Sequence, residues 1–282
     1  GTGTSALNSV VFQSGSLFAQ TAGANPFGAS APSSVVAFQP GSRFRLDASF
    51  TPSVSGRTYA DFEVNVASTI SPTGGTAYSM DSVIVSLGTL NLNMTGGGTI
   101  KGSLHVKPGA TLTFSPASGT PTVTFAGAAP QEVDVQGAFS STTNQAFALN
   151  NPAGITLATN WTVAGALSFT SGRVTTGAST LIVPATGSVT GAGAGTGWVA
   201  GRLRRNVASG SSSRTFDVGD ASAYSPVTLA VTGAAAALDL TASAQTPDHP
   251  QAASSGLDNT QSVNRWWTLT PTGSPTLTGY DA

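Results

Sequence analysis

Val10-Val-Phe12-Gln13-Ser-Gly15-Ser16-Leu17-Phe18 is followed, 26 positions on, by Val36-Ala-Phe38-Gln39-Pro-Gly41-Ser42-Arg43-Phe44. The two segments share the valine, both phenylalanines, the glutamine, the glycine and the serine at matching places, which marks an internal repeat. Looser copies of the pattern apolar-x-apolar-x-x-Gly start at Val83, Leu104 and Leu167, with near-misses at Val123 and Leu181. The starts at 83, 104 and 123 are 21 and 19 apart, so the spacing predicts coils of about 19 to 26 residues. Each coil contributes short strands whose alternate side chains point into a shared interior, and the closing glycine lets the backbone turn where a Cβ would clash. One coil cannot bury its apolar face alone, so neighbours must stack into a solenoid. Residues 1–195 are therefore expected to form a right-handed parallel β-helix; a β-sandwich is the alternative, since turn signals every 8 to 12 residues also suit one.

Composition agrees with an all-β fold. Only 8% of the 282 residues are charged, against roughly 25% in an average domain. A formal charge of −1 and abundant Val, Ile and Thr exclude disorder driven by charge repulsion. The 34 glycines and 16 prolines fall short of the roughly 25–30% that marks low-complexity chains. No helical stripe stands out, and Ala234 to Ala237 is too short to hold a helix alone.

Near-zero net charge gives no steering toward nucleic acid, which is not expected as a partner. No apolar run is long enough to span a bilayer, so membrane insertion is not expected either. With no cysteine, neither disulfides nor thiolate chemistry enters the account. The start at Gly1, without Met or a signal-type segment, is expected of a processed or truncated product.

After about Gly195 the pattern changes. Gly191-Ala-Gly-Ala-Gly195-Thr-Gly197 reads as a turn-rich junction. Beyond it, Trp198 to Val207, Arg214 to Val218, Pro226 to Val231, Leu238 to Ala244 and Val263 to Thr270 read as longer strands. Residues 196–282 are thus expected to form a small antiparallel β-sandwich, with a last strand beginning at Thr276 and the sandwich left incomplete at its C-terminus.

Several of these segments resemble a known group. Gly197-Trp-Val-Ala-Gly-Arg202-Leu-Arg-Arg-Asn-Val207, Phe216-Asp-Val-Gly219-Asp220, Tyr224-Ser-Pro226-Val-Thr-Leu229 and Val263-Asn-Arg265-Trp266-Trp267-Thr-Leu-Thr-Pro271 resemble the region upstream of the sorting domain in large repetitive surface proteins that Bacteroidetes and their relatives export by the type IX pathway. Asn150-Asn-Pro-Ala-Gly154-Ile-Thr-Leu157 with Trp161-Thr-Val-Ala-Gly165-Ala-Leu167 is similar to the β-helical repeats that precede it. The resemblance covers about residues 80–282. It implies secretion and an adhesin-like or matrix role at the cell surface, and it carries over no catalytic residue. The sorting domain itself is absent from the sequence.

Candidate chemistry is sparse. His105 and His249 are the only histidines, too few for a multi-histidine metal site or a histidine triad, and His105 alternates to the outer face of a strand. Polysaccharide lyases and hydrolases on β-helices need clustered carboxylates. Here Asp61 with Glu63, and Glu132 with Asp134, fall on one strand face each; the plainer reading is that such pairs keep strands soluble and block edge pairing. Phe216-Asp217-Val-Gly219-Asp220-Ala-Ser222 loosely resembles a calcium loop but offers too few oxygens, so a turn capped by Asp side chains is the reading taken. Gly191 to Gly197 lacks the Lys-Ser/Thr and the helix of a phosphate cradle. Arg202, Arg204 and Arg205 are expected to pair with Asp217 or Asp220 on a solvated face.

Trp266 and Trp267 are consecutive, so on a strand one points inward as core and the other outward. The outward one, or Trp198, is a candidate contact for a sugar ring or a second subunit. Asp81-Ser82-Val83 matches the Asp-Ser/Thr-aliphatic pattern on which Bacteroidetes exported proteins are O-glycosylated, which makes Ser82 a candidate site; an ordinary turn before a strand is the plainer reading. No cofactor, metal or catalytic residue is expected. The sequence reads as an extracellular structural or adhesive surface protein that builds a filament, stalk or layer, with copies of itself as partners through strand edges or solenoid ends. A glycan-binding adhesin is the first alternative and a polysaccharide lyase or hydrolase the second.

Overall fold

The computed structural model describes residues 6–23, 25–256 and 258–282. The chain is all-β, a parallel β-solenoid followed by sandwich-like antiparallel sheets. Ten strands succeed one another along the longest parallel ladder: Leu17–Gln20, Arg43–Leu46, Asp61–Ile70, Val83–Met94, Leu104–Val106, Gln131–Val135, Ile155–Leu157, Val174–Thr175, Val199–Ala200 and Val218–Gly219. A second ladder runs through Tyr78–Met80, Gly98–Ile100, Thr122–Phe125, Ala146–Asn150, Ala166–Ser171 and Ser188–Thr190. Shorter parallel stretches complete the coil, among them Thr111–Phe114 beside Ala138–Ser141 and Trp161–Thr162 beside Leu181–Val183.

The opening repeat is a stacking register. Val10 lies beside Val36 and Phe12 beside Phe38, and Leu17 lies beside Arg43 and Phe18 beside Phe44. Val83 likewise lies beside Leu104. The next start does not continue this series: Leu104 pairs with Val133, whereas Val123 belongs to the second ladder, between Gly98 and Phe147. Coil length is therefore less even than the starts imply, from 18 residues between Arg43 and Asp61 to 29 between Leu104 and Val133. The physical reason is that every face of a coil uses the same two-residue alternation, so spacing alone does not say which face a strand occupies.

Alternation sends one set of side chains inward, where they form a single apolar cluster running from Phe27 to Ala244. Aromatic rings dominate two levels of it. Phe12 stacks on Phe38 at 5.2 Å, Phe18 on Phe44 at 5.8 Å and Phe44 on Phe62 at 5.4 Å. Further along, Phe125 and Phe147 pack edge-on to Trp161 at 5.6 and 5.5 Å. Each ring pair contributes about 0.5–1.5 kcal/mol beyond its area burial.

Two corners require glycine. Gly172 has φ +97°, and a Cβ there would lie 1.8 Å from the Asn151 carbonyl oxygen one coil below. At Gly197, φ is +145° and a Cβ would lie 1.7 Å from the Gly172 carbonyl oxygen. Backbone thus stacks directly on backbone at this edge, closer than any side chain allows. The same edge holds a buried amide pair. Asn151 donates to the Ala129 carbonyl at 2.8 Å and to Gln131 Oε1 at 3.0 Å, and its own Oδ1 accepts from the Ala153 N–H at 2.9 Å.

Gly197 is consequently a corner of the solenoid, and parallel pairing runs past the glycine-rich junction expected near Gly195. Val199 lies beside Val174 and in turn beside Val218, while Leu203 lies beside Leu181. Leu203–Val207 is the changeover strand: its other edge takes Leu238–Gln245 antiparallel, which takes Trp266–Pro271 antiparallel. A second antiparallel sheet joins Gly210–Phe216, Val227–Ala234 and Gly279–Asp281. The segment expected as one strand from Trp198 to Val207 is two, because Gly201 turns the chain at φ +128°.

Candidate functional site

A set of charged and aromatic side chains gathers where the solenoid meets the antiparallel sheets. Trp198 precedes the solenoid strand Val199–Ala200, and its Nε1–H donates to the Asp220 carbonyl at 2.9 Å. Trp267 lies on the outermost strand of its sheet, and its Nε1–H donates to the Ser225 carbonyl at 2.9 Å. The two indoles hold the turn Asp220–Ser225 at its two ends. Arg265 fastens it further, with Nη2 3.2 Å from Asp220 Oδ2 and Nη1 donating to Ser225 Oγ.

The Asp220 carboxylate caps its own turn. Its Oδ1 accepts from the Ser222 N–H and hydroxyl at 2.6 Å each and from the Ala223 N–H at 2.9 Å. Burial opposes the charge, but these hydrogen bonds and the Arg265 guanidinium outweigh it and pull the pKa down to about 2. Asp217 faces another way. It accepts from the Tyr224 hydroxyl at 2.9 Å and lies 3.7 Å from Arg205. Burial, and then the bond to Asp217, push the Tyr224 hydroxyl up to about 12. The two aspartates serve different cations, and the loop is an Asp-capped turn.

Arg205 pairs with Asp217 as the sequence suggests, but the pair is buried rather than solvated: Arg205 is 7% exposed and also donates to the Thr215 carbonyl at 2.7 Å. Burial is the main reason its pKa is lowered, with the neighbouring Arg214 adding to it. Arg202 and Arg204 turn elsewhere, Arg202 to the Ala178 carbonyl at 2.6 Å and Arg204 toward Thr241.

Of the candidate sugar or subunit contacts, Trp198 is buried, with the Arg173 guanidinium 5.4 Å from its ring and Tyr224 at 6.2 Å. Trp266 is half-buried, edge-on to the His249 ring at 4.7 Å. Trp267 is 36% exposed and, with Trp266, Leu269, Pro226, Val227 and Arg265, lines a groove of 610 Å³. Trp267 lies in the inward row, beside the buried Ala244, and Trp266 in the outward row, beside the exposed Gln245; neither is fully buried, because their strand is the outermost of its sheet and no further strand flanks them.

The other sequence candidates lie on the outer face of the long ladder. Glu132 and Asp134 share that face: Glu132 is exposed with Oε2 4.0 Å from His105 Nδ1, and Asp134 accepts from Gln136 Nε2 at 2.8 Å. Asp61 and Glu63 belong to a tighter network. Arg43 reaches Asp61 at 3.5 Å and Glu63 at 3.3 Å, and Ser86 donates to Glu63 at 2.7 Å. Next to it, Arg45 and Asn65 donate to Asp47 at 3.0 and 2.7 Å, and these bonds outweigh burial to lower the Asp47 pKa. Among the described residues, no group of three or more His, Cys, Asp and Glu side chains is placed to hold a metal ion.

Ser82 occupies a half-buried corner between coils, where its Oγ accepts from the Ser103 N–H at 3.4 Å. Beside it, burial pushes the Asp81 carboxyl up, with Lys101 opposing.

Sequence reasoning missed Arg57. It is 4% exposed, lies 4.4 Å over the Phe27 ring and donates at 2.6 Å to the carbonyls of both Ala29 and Ser33, holding the 25–34 loop against the solenoid. No nearby motif signals it. The Asn151 corner did carry a signal, since Asn-Pro-x-Gly is turn chemistry. No family model, curated protein or solved structure matches the chain.

Proposed function

We propose that this chain is an extracellular scaffold of a cell surface, a structural or adhesive protein that assembles with copies of itself into a filament, stalk or layer. One observation carries the reading: a single apolar interior extends through almost the whole chain, while its buried or half-buried carboxylates are mostly spent on local partners. Such a molecule holds shape and exposes strand edges, and exposed edges are the groups through which sheets extend. Export by the type IX route is the proposal that the resemblance of the Gly197–Val207 and Val263–Pro271 segments contributes. No catalytic role is assigned.

Electron microscopy of the purified chain at rising concentration tests the reading. Regular assemblies of rods are the expected result; single rods at every concentration would contradict it. A glycan-binding adhesin is the second reading, favoured by the exposed Trp267 ring over the 610 Å³ groove. A glycan array distinguishes it, with a bound sugar that is lost on Trp267→Ala.

A further inference from the structure

Arg57 is a buried cation for which the chain supplies no anion. It is 4% exposed, yet no ion pair among the described residues includes it. Asp61 and Glu63 go to Arg43, Asp47 to Arg45, Asp217 to Arg205 and Asp220 to Arg265. Residues 1–5, 24 and 257 are glycine, threonine, serine, alanine and leucine, so all 12 Asp and Glu side chains of the chain lie among the described residues.

A buried arginine is ordinarily paired, because a charge taken out of water needs compensation. The compensation here is neutral and incomplete. Nη1 donates to the Ser33 carbonyl and Nη2 to the Ala29 carbonyl, at 2.6 Å each, and Nε donates to the Ser53 hydroxyl at 3.3 Å. Those bonds use three of the five guanidinium N–H groups and leave one on each Nη. The Phe27 ring, 4.4 Å away, covers one flat face. Burial lowers the Arg57 pKa, and the opposing influence comes from Tyr59 rather than from a carboxylate.

Beside this cation is open space. Arg57 lines a cavity of 300 Å³ together with Asn8, Ser33, Thr58, Phe27 and Phe38. The 25–34 loop that walls it is fixed by Arg57 itself and by the Val35 N–H, which donates to the Phe27 carbonyl at 2.8 Å. A buried positive charge, spare donors and polar neighbours around one small cavity match a negatively charged group with several acceptor oxygens.

We propose that this cavity binds a small oxyanion group, a carboxylate or a sulfate, on the two spare N–H groups of Arg57. Two sources carry such a group, a free inorganic anion and the acid group of a sugar. The site stands apart from the assembly reading and from the Trp267 groove, and neither decides its fate.

Thermal unfolding of the full chain in millimolar glucuronate, sulfate or glucose, with ionic strength matched by sodium chloride, tests it. The midpoint is expected to rise by about 2–4 °C with the binding anion and to stay unchanged with glucose. A rise with either anion supports the site; glucuronate alone assigns it to acidic sugars, and sulfate alone to free anions. Arg57→Gln is expected to abolish the rise. If that variant does not fold, Ser33→Glu keeps Arg57 and brings a carboxylate to the cavity from an exposed position. It is expected to raise the midpoint in chloride and to cancel the response to both anions. No rise in the wild-type chain, or a rise that persists in Ser33→Glu or in a folded Arg57→Gln, overturns the site.

Discussion

Trp161→Ala is expected to destabilise the solenoid by about 3–5 kcal/mol, the range for removing a large buried aromatic. The ring is fully buried and packs against Phe125, Phe139 and Phe147 at 5.6, 6.5 and 5.5 Å, so its loss opens a cavity whose walls are themselves stacked rings. Coils above and below are fixed by their ladders, which limits how far they collapse into the space. Trp161→Phe separates two contributions. The indole N–H finds no hydrogen-bond acceptor among the described residues, and phenylalanine keeps much of the ring contact while removing that donor. Urea unfolding followed by circular dichroism is expected to place Trp161→Phe less than halfway from wild type to Trp161→Ala. Equal losses for the two variants would contradict the packing account.

Asp220→Asn is expected to remove roughly 2 kcal/mol of stability at neutral pH and to flatten the acid limb of the pH profile. The folded pKa of about 2 lies below the unfolded value near 4, so the charged form is what the fold favours. Its contribution is fully present above pH ~4 and is lost as pH falls from there toward ~2. The side chain is 15% exposed, and the groups that favour its charge are donors fixed by the turn, Ser222 and Ala223, plus Arg265. Unfolding midpoints of wild type and variant are expected to converge as pH falls through that window. Parallel curves with a constant gap would mean that Asp220 acts by packing rather than by charge.

The parts of the fold legible in the sequence were those where one pattern fixed both a strand and its partner. Val10–Phe18 and Val36–Phe44 match in strand, corner glycine and strand again, so their offset is their register. Val83 and Leu104 were legible for the same reason. Val123 was not, because apolar alternation is identical on every face and only pairing assigns it to the second ladder. Gly191–Gly197 has the composition of a linker, yet Gly197 is glycine because a carbonyl of the coil below occupies the place of its Cβ. That requirement is set by a residue 25 positions earlier, Gly172, and no local window contains it.

The candidate site divides along the same line. The Asp220 turn was legible because its donors, Ser222 and Ala223, are two and three residues away. The role of Trp198 was not, since its N–H is taken by a carbonyl that a whole coil brings round. Likewise Arg205 sits in a run of arginines that reads as solvated, and only the changeover from parallel to antiparallel pairing at Leu203–Val207 buries it against Asp217.

The stacking of coils can be read directly with one pair of introduced thiols, because the chain has no cysteine of its own. Thr113 lies beside Ser140 on neighbouring coils, with their hydroxyl oxygens 3.1 Å apart. Parallel neighbours lie about 4.8 Å apart, inside the range a disulfide spans. Under mild oxidation, Thr113→Cys with Ser140→Cys is expected to form an intramolecular disulfide to completion, seen by mass and by faster migration on a non-reducing gel. Thiols that stay reduced, or that cross-link only between chains, would contradict the stacked solenoid on which the rest depends.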